Sequence, residues 1–220
     1  MRLQQELVDL CRNAVGCNEC FKDGSTLKRS FIGIPHPRAI GENYWTSQCK
    51  ILVLMINPGK GRDDAAHRQA TERIRAFGSG ANILGEIFQR QLDDLPNWGR
   101  FVPFFCDKLG LQVDDIALAN VAWCSTVRDK YPAWMLDKCF KLHTERLVKL
   151  LNPDAILLSG SNIHRFVASL KRAAPSARII LAPHYAHREG REYEETQVKR
   201  IRTELEEAGN GAYPFPQECL

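Results

Sequence analysis

Four short apolar runs alternate with longer amphipathic segments along this chain. The runs cover residues 51–56, 116–123, 155–159 and 178–183. A continuous apolar run of this length, bounded by turn-forming residues, is typical of a strand that is buried on both faces of a parallel sheet. The pattern therefore predicts four parallel strands.

Between these runs, apolar residues recur at helical spacing. The predicted helices cover residues 2–15, 82–95, Pro132 to about Leu151, 163–170 and 190–208. Residues 16–49 are rich in glycine, proline and polar groups, so we expect an irregular loop there. Strands that alternate with helices form βαβ units. We predict a single domain over residues 1–220, a three-layer α/β/α sandwich with a central four-stranded parallel sheet.

Polar residues follow or end several of the predicted strands. Asn57 follows the first apolar run, Asn120 lies within the second, and His184 follows the fourth. In open parallel sheets, ligands bind beyond the carboxyl ends of the strands. These residues are therefore candidates for a functional site on the sheet pattern alone.

Composition and charge narrow the classes of protein to consider. The chain of 220 residues is 44% hydrophobic and 25% charged, with a net charge of +4. These values exclude a largely disordered chain and a uniformly basic, histone-like protein, but they permit a polyanionic partner. No apolar run approaches the roughly 20 residues that span a bilayer, and the first residues lack the apolar core of a signal peptide. We expect a cytoplasmic protein without a membrane partner.

Eight cysteines are unusual in a protein that we expect to be cytoplasmic, where disulfides are disfavoured. Cys17 and Cys20 form a CxxC pair in the polar loop, and fourteen residues separate Cys124 from Cys139. We predict that these four thiolates hold a metal centre, either zinc or an iron–sulfur cluster, because spacing alone fits both. The other cysteines are expected to be unligated: Cys11, Cys49, Cys106 and Cys219.

The order of these motifs is similar to that of the uracil-DNA glycosylase superfamily. The likeness covers roughly residues 15–190 and runs through CxxC, an apolar strand, Asn-Pro-Gly, ANVAWC-x14-C, LNPDAILLSG and a strand that ends in His. The cysteines resemble the iron–sulfur branches of that superfamily. The Asn before Pro58 resembles the single-strand-selective, mismatch-specific and hypoxanthine-type members. At the second catalytic motif the chain has His184-Tyr185-Ala186, where the superfamily usually has His-Pro-Ser.

The resemblance implies a DNA glycosylase that excises uracil or another deaminated base by hydrolysing the N-glycosidic bond, as in base excision repair. It implies a [4Fe–4S] cluster as structural support, with zinc as the alternative, and DNA containing a damaged base as the partner of a monomer. The implied roles are water orientation by Asn57, stabilisation of the leaving base by His184, base binding by Ile56, Phe77 and Asn120, and DNA contact by His187 and Arg188.

Other interpretations of these residues and of the fold stay open at this point. Asn57 with its Pro-Gly neighbours is also a plain turn, His184 is also a structural histidine, and Asn120 also suits capping of a strand end. Phe77 is our candidate for stacking on the base, although most aromatic residues pack in cores. The alternative functions are a non-catalytic nucleic-acid-binding protein on the same fold and an enzyme that acts on free nucleosides.

Overall fold

Five strands form one mixed sheet in this computed structural model, which describes residues 2–22, 25–29, 38–57, 72, 81–186 and 190–209. The strands are β1 (Ala39–Ile40), β2 (Ile51–Met55), β3 (Ile116–Asn120), β4 (Ala155–Ser159) and β5 (Arg178–Ala182). Their order across the sheet is β1-β3-β2-β4-β5. The chain therefore has an α/β fold.

The four predicted parallel strands are confirmed, but the predicted four-stranded sheet is wrong by one strand. β3, β2, β4 and β5 pair in parallel, each with its neighbour in that order. β1 pairs with β3 in the antiparallel direction, so the sheet is mixed. β1 lies in the segment that we expected to be irregular, and its two residues are too few to show a hydrophobic period.

Close backbone packing, rather than a hydrophobic pattern, positions β1. The amide of Arg38 donates to the carbonyl oxygen of Leu118, and the amide of Gly41 donates to that of Ile116. A Cβ atom on Gly41 would lie 2.1 Å from the carbonyl oxygen of Asp114, so only glycine fits here. Arg38 therefore lies beside the last residues of β3, near the carboxyl end of that strand.

Six α-helices surround the sheet within the described part of the chain. They are α1 (Arg2–Val15), α2 (Ala81–Asp93), α3 (Ala133–Cys139), α4 (Glu145–Leu151), α5 (Val167–Ala173) and α6 (Arg191–Ala208). Short 3-10 helices cover Leu95–Asn97, Val113–Asp115, Val127–Asp129 and Ser161–Phe166. π-helices cover Val102–Lys108 and Phe140–Thr144. None of these helices is both long enough and apolar enough to cross a bilayer.

Most helix predictions agree with the structure, with two differences in geometry. The helix that we predicted from Pro132 to about Leu151 is continuous, but a π-helical turn separates α3 from α4. The segment predicted as a helix over 163–170 begins as a 3-10 helix and becomes α5. A π-turn inserts an extra residue into the helical repeat, and this shifts the residues after Cys139 around the axis.

The central strands form the core of the molecule. Every residue of β2, β3 and β4 is buried, so both faces of the sheet are covered there, whereas β5 is an edge strand with exposed positions. Each fully buried aliphatic side chain contributes roughly 1.5–3 kcal/mol to stability. The strands are therefore a rigid base for the loops at their carboxyl ends.

Residues expected to form the site lie along that carboxyl edge. Asn120 ends β3, Asn57 follows β2, Gly160 follows β4, and His184 follows β5. The strands that precede Asn57 and His184 are separated by β4, that is, by two strand spacings of about 4.8 Å each. A ligand that contacts both has to lie across the end of β4.

Candidate functional site

Asn120 has a buried side-chain amide without a hydrogen-bond partner. The residue is 1% exposed, and neither its Nδ2 nor its Oδ1 atom has a hydrogen-bond partner within the described part of the chain. The interpretation of Asn120 as a cap for the strand end is therefore wrong. An unsatisfied buried polar group costs about 1–3 kcal/mol, and such a cost is expected where a ligand supplies the missing partners.

Asn57 is held by two residues of the loop that follows β3. Its Nδ2 donates to Oδ1 of Asp129 at 2.9 Å. Its side chain also hydrogen-bonds the hydroxyl of Tyr131 and slightly lowers the pKa of that tyrosine. Burial is the larger influence and raises the pKa of Tyr131 to about 12. Since the amide nitrogen is directed at these partners, the amide oxygen has a fixed orientation.

His184 packs against the end of β4 and has a defined tautomer. The amide of Ala186 donates to its Nδ1 atom at 3.2 Å, so in the neutral ring the proton is on Nε2. The imidazole stacks on Tyr185 with 4.6 Å between ring centroids. The backbone of Gly160, which adjoins the imidazole, has a φ of +109°, a conformation that favours glycine at this position.

The structure brings only some of the predicted site residues together. His184 lines a shallow recess with Tyr185, Arg100 and Glu194, and neither Asn57 nor Asn120 lines that recess. Ile56 is half-buried, and its carbonyl oxygen accepts a hydrogen bond from the amide of Ala122. Phe77, His187 and Arg188 lie outside the described residues.

Arg38 is a site residue that sequence reasoning missed. Its guanidinium lies over the ring of Trp98, 4.3 Å from the centroid. Burial lowers its pKa to about 10, an effect opposed by Tyr185, Asp94 and Tyr131. The group is therefore still charged at neutral pH, and the tyrosine that influences its pKa most, Tyr185, stacks on His184.

The four cysteines predicted to bind a metal line one recess. This recess is partly open to solvent and is lined by Cys17, Cys20, Cys124 and Cys139. The first two cysteines are far from the last two in the sequence, so it is the fold that brings the two pairs together. Among the described residues, no group of three His, Cys, Asp or Glu side chains converges closely enough to hold a metal ion as it stands.

Two further polar residues lie in the cysteine recess, and sequence reasoning missed both. His143 is 6% exposed, and neither ring nitrogen has a hydrogen-bond partner in the described ranges. The Nε atom of Arg29 is buried with no partner among the described residues, while its Nη2 atom donates to the carbonyl oxygen of Cys17. His143 lies one helical turn after Cys139, and this spacing is the sequence signal that could have identified it. Arg29 had no comparable signal.

The recess fits a metal centre by residue type, charge and donor supply. Arg29 adds a cation, and the amide of Trp123 donates to Sγ of Cys139 at 3.2 Å. Iron–sulfur clusters carry negative charge on their thiolates and accept such hydrogen bonds. Three of the cysteines predicted to be unligated belong to the described residues, and none of them lines this recess: Cys11, Cys49 and Cys106.

Burial raises the pKa values of three thiols in the recess. It raises the pKa of Cys124 to about 12, with Arg29 as the largest opposing influence. It also raises the pKa values of Cys20 and Cys139. Metal binding at this recess would therefore release protons.

No protein-family model matches this chain, and no curated protein matches it. The function is therefore argued from the geometry of the site and from the motifs in the sequence.

Proposed function

We propose that this chain is a DNA glycosylase that hydrolyses the N-glycosidic bond of uracil or another deaminated base. The single observation that carries the proposal is the buried, unpartnered amide of Asn120 at the carboxyl edge of the sheet. The resemblance of the motifs to the uracil-DNA glycosylase superfamily supports it. So does the burial of both faces of the central strands, which suits a three-layer α/β/α sandwich.

An amide without partners suits recognition of a nucleobase edge. It offers one donor and one acceptor side by side, and the edge of uracil presents an N–H donor beside a carbonyl acceptor. A base has to leave the helical stack to reach a buried side chain, and glycosylases extrude their target nucleotide in this way. The base would satisfy both atoms of Asn120 at once.

Asn57 is suited to orient the attacking water. With Nδ2 directed at Asp129 and Tyr131, its oxygen is positioned to accept a hydrogen bond from water. An amide is a poor base, but the sugar carbon is strongly electrophilic when the glycosidic bond breaks. Orientation of the water is therefore the larger contribution expected from this residue.

His184 is suited to stabilise the leaving base. Its Nδ1 atom accepts from the amide of Ala186, which places the proton on Nε2. An Nε2–H donor aimed at a base carbonyl strengthens its hydrogen bond as negative charge develops there. The interaction would act mainly in the transition state.

The cysteine recess is suited to a structural [4Fe–4S] cluster, with zinc as the alternative. When bound, such a cluster would cross-link the N-terminal loop to the segment that ends in Cys139. Cys124 begins the loop that carries Asp129 and Tyr131, so the same link would fix the partners of Asn57. On this proposal the protein acts as a cytoplasmic monomer on DNA that contains a damaged base.

Single-turnover base release tests the proposal. Purified protein is mixed with strands that carry uracil, hypoxanthine, xanthine or mismatched thymine, and binding is measured with a non-cleavable analogue. His184→Ala and Asn57→Ala are expected to lower the rate of release by about 10²–10³ with little change in binding. Lys149→Ala, on the exposed face of α4, is the control and should match the wild type.

Two outcomes would contradict the proposal. Release at the wild-type rate by both variants would show that these residues are not catalytic. A wild type that binds strands but releases no base would favour the non-catalytic nucleic-acid-binding protein, for which the replacement of Pro-Ser by Tyr185-Ala186 is the supporting observation.

A further inference from the structure

Arg38 is a cation that the fold brings to the carboxyl edge of the sheet, with no acidic partner among the residues that the structure describes. Its backbone amide donates to the carbonyl oxygen of Leu118, which places the residue beside the end of β3. Among the described residues, no carboxylate lies within ion-pair distance of its guanidinium, and its Nε atom is buried without a hydrogen bond. The carboxylate that influences its pKa, Asp94, accepts hydrogen bonds from Trp98 and Asn97.

The cation is held in one orientation by an aromatic cluster. Trp98 lies under the guanidinium, Phe101 packs against Trp98 at 5.6 Å, and Tyr185 packs against Phe101 at 5.6 Å. Stacking on one face leaves the N–H edges of the guanidinium available. Such an edge matches the oxygens of a phosphate group, which it binds through two parallel hydrogen bonds.

A partly buried charge without a counter-ion lowers the stability of the folded state. Replacing the charged residue by an apolar one usually restores that stability. Other arginines of the chain do have acidic partners: the exposed arginine of α1, Arg12, pairs with Asp9, and Arg165 pairs with Asp137. The absence of such a pairing at Arg38 is explained if the partner is a ligand. The ligand must carry negative charge and reach the carboxyl edge of the sheet.

We propose that Arg38 binds a phosphate group of the ligand at this site. This inference rests on the proposed function for its source: the phosphate is the backbone phosphodiester beside the nucleotide whose base Asn120 receives. Arg38 would then fix the extruded nucleotide from its phosphate while Asn120 reads its base edge. The same chemistry would serve a free nucleotide or inorganic phosphate, and the experiment separates these sources.

The first experiment needs no activity. Thermal unfolding of the wild type, Arg38→Met and the control Arg12→Met is followed in increasing inorganic phosphate, with chloride at matched ionic strength. The wild type and Arg12→Met should gain stability with phosphate in a saturable manner, and Arg38→Met should not. Without phosphate, Arg38→Met should unfold at the same or a higher temperature than the wild type. Equal stabilisation of all three proteins by phosphate would overturn the proposal.

The second experiment identifies the phosphate. Strands with a non-cleavable uracil nucleotide carry one neutral methylphosphonate at each position around it, and their dissociation constants are measured. One position should weaken wild-type binding by about 10- to 100-fold, as expected for a charge-assisted hydrogen bond. At that position, Arg38→Met should bind methylphosphonate and native strands equally, whereas Arg12→Met should behave as the wild type.

The outcomes of the two experiments separate the two proposals. If the protein binds strands, but at every methylphosphonate position the loss of affinity is the same for the wild type and Arg38→Met, the phosphodiester assignment is overturned. Phosphate binding through Arg38 in a protein that does not bind DNA would leave the phosphate site standing and refute the glycosylase, with free nucleotides as the source of the phosphate.

Discussion

A buried amide without partners, such as that of Asn120, carries a free-energy cost that a ligand can remove. Replacing Asn120 by Leu, which is similar in size, removes both unsatisfied atoms. We expect Asn120→Leu to raise the free energy of unfolding by about 1–3 kcal/mol and to abolish uracil release. Urea unfolding and single-turnover release measure the two effects.

A second substitution at Asn120 tests base choice. Asn120→Asp replaces the amide donor by an acceptor, so uracil release should fall more than release of a base that presents the opposite pattern of donors and acceptors. Equal losses on all bases, or destabilisation by Asn120→Leu, would show that the amide has a structural role and does not read the base.

Sequence reasoning identified the residues of the site that follow strands, but not those that depend on tertiary pairing. Asn57, Asn120 and His184 were found because strand ends are visible as the ends of apolar runs. Arg38 was missed because its position depends on a two-residue antiparallel strand with no period of its own. His143 was missed because its orphaned ring nitrogens are a property of the packed recess.

At the scale of elements, the long apolar runs were the reliable guides. β2, β3, β4 and β5 begin within one residue of their predicted starts, because a run buried on both faces has few alternative structures. β1 was not predicted, because it is fixed by the close approach of Gly41 to Asp114. The π-turns were not predicted either, since the apolar spacing of a π-turn differs little from that of an α-helix over a few residues.

The loop between β3 and α3 connects the cysteine recess to the candidate catalytic residue. It leaves β3 at Asn120, passes Cys124, and reaches Asp129 and Tyr131, which bond the side chain of Asn57. Internal bonds stiffen it: Oγ1 of Thr126 donates to the carbonyl oxygen of Lys130 at 2.8 Å. The loop is therefore a short, braced connection whose geometry sets the direction of the Asn57 amide.

Removing the carboxylate of Asp129 tests the role of this loop. Asp129→Ala should lower the single-turnover rate of base release by about tenfold or more, because the Asn57 amide loses a bond that orients it. Binding of a non-cleavable strand should be unchanged. Asp129→Asn keeps an oxygen acceptor at the same place and should restore most of the rate.

A different pattern in these variants would contradict the positioning role. If Asp129→Ala weakens DNA binding as much as it slows release, the loop contacts DNA and does not orient Asn57. If Asp129→Asn is as slow as Asp129→Ala, the charge of the carboxylate matters and not its oxygen.

At the scale of the whole molecule, the cysteine recess joins parts of the chain that are far apart in sequence. Cys17 and Cys20 follow α1, Cys124 follows β3, and Cys139 ends α3. Lys138 also connects these parts of the chain, because its Nζ atom pairs with the carboxylate of Glu19 and donates to the carbonyl oxygen of Glu19. A metal centre held here would therefore brace the N-terminal segment against the loop that carries Asp129.

The last prediction concerns this brace. Protein purified without oxygen should be brown, with broad absorption near about 400 nm and about four irons and four sulfides per chain, as expected for thiolate-ligated iron. Cys20→Ala should lose the colour, and it should slow base release because the loop that orients Asn57 loses its anchor. Cys106→Ala is the matched control: this cysteine is half-buried and lies outside the recess, so its loss should change neither colour nor rate. A colourless wild type with one zinc per chain would reject iron and keep the four ligands. A wild type that contains neither metal, or a coloured Cys20→Ala, would reject the ligand set, and the elevated pKa values of these thiols would then reflect burial in an ordinary core.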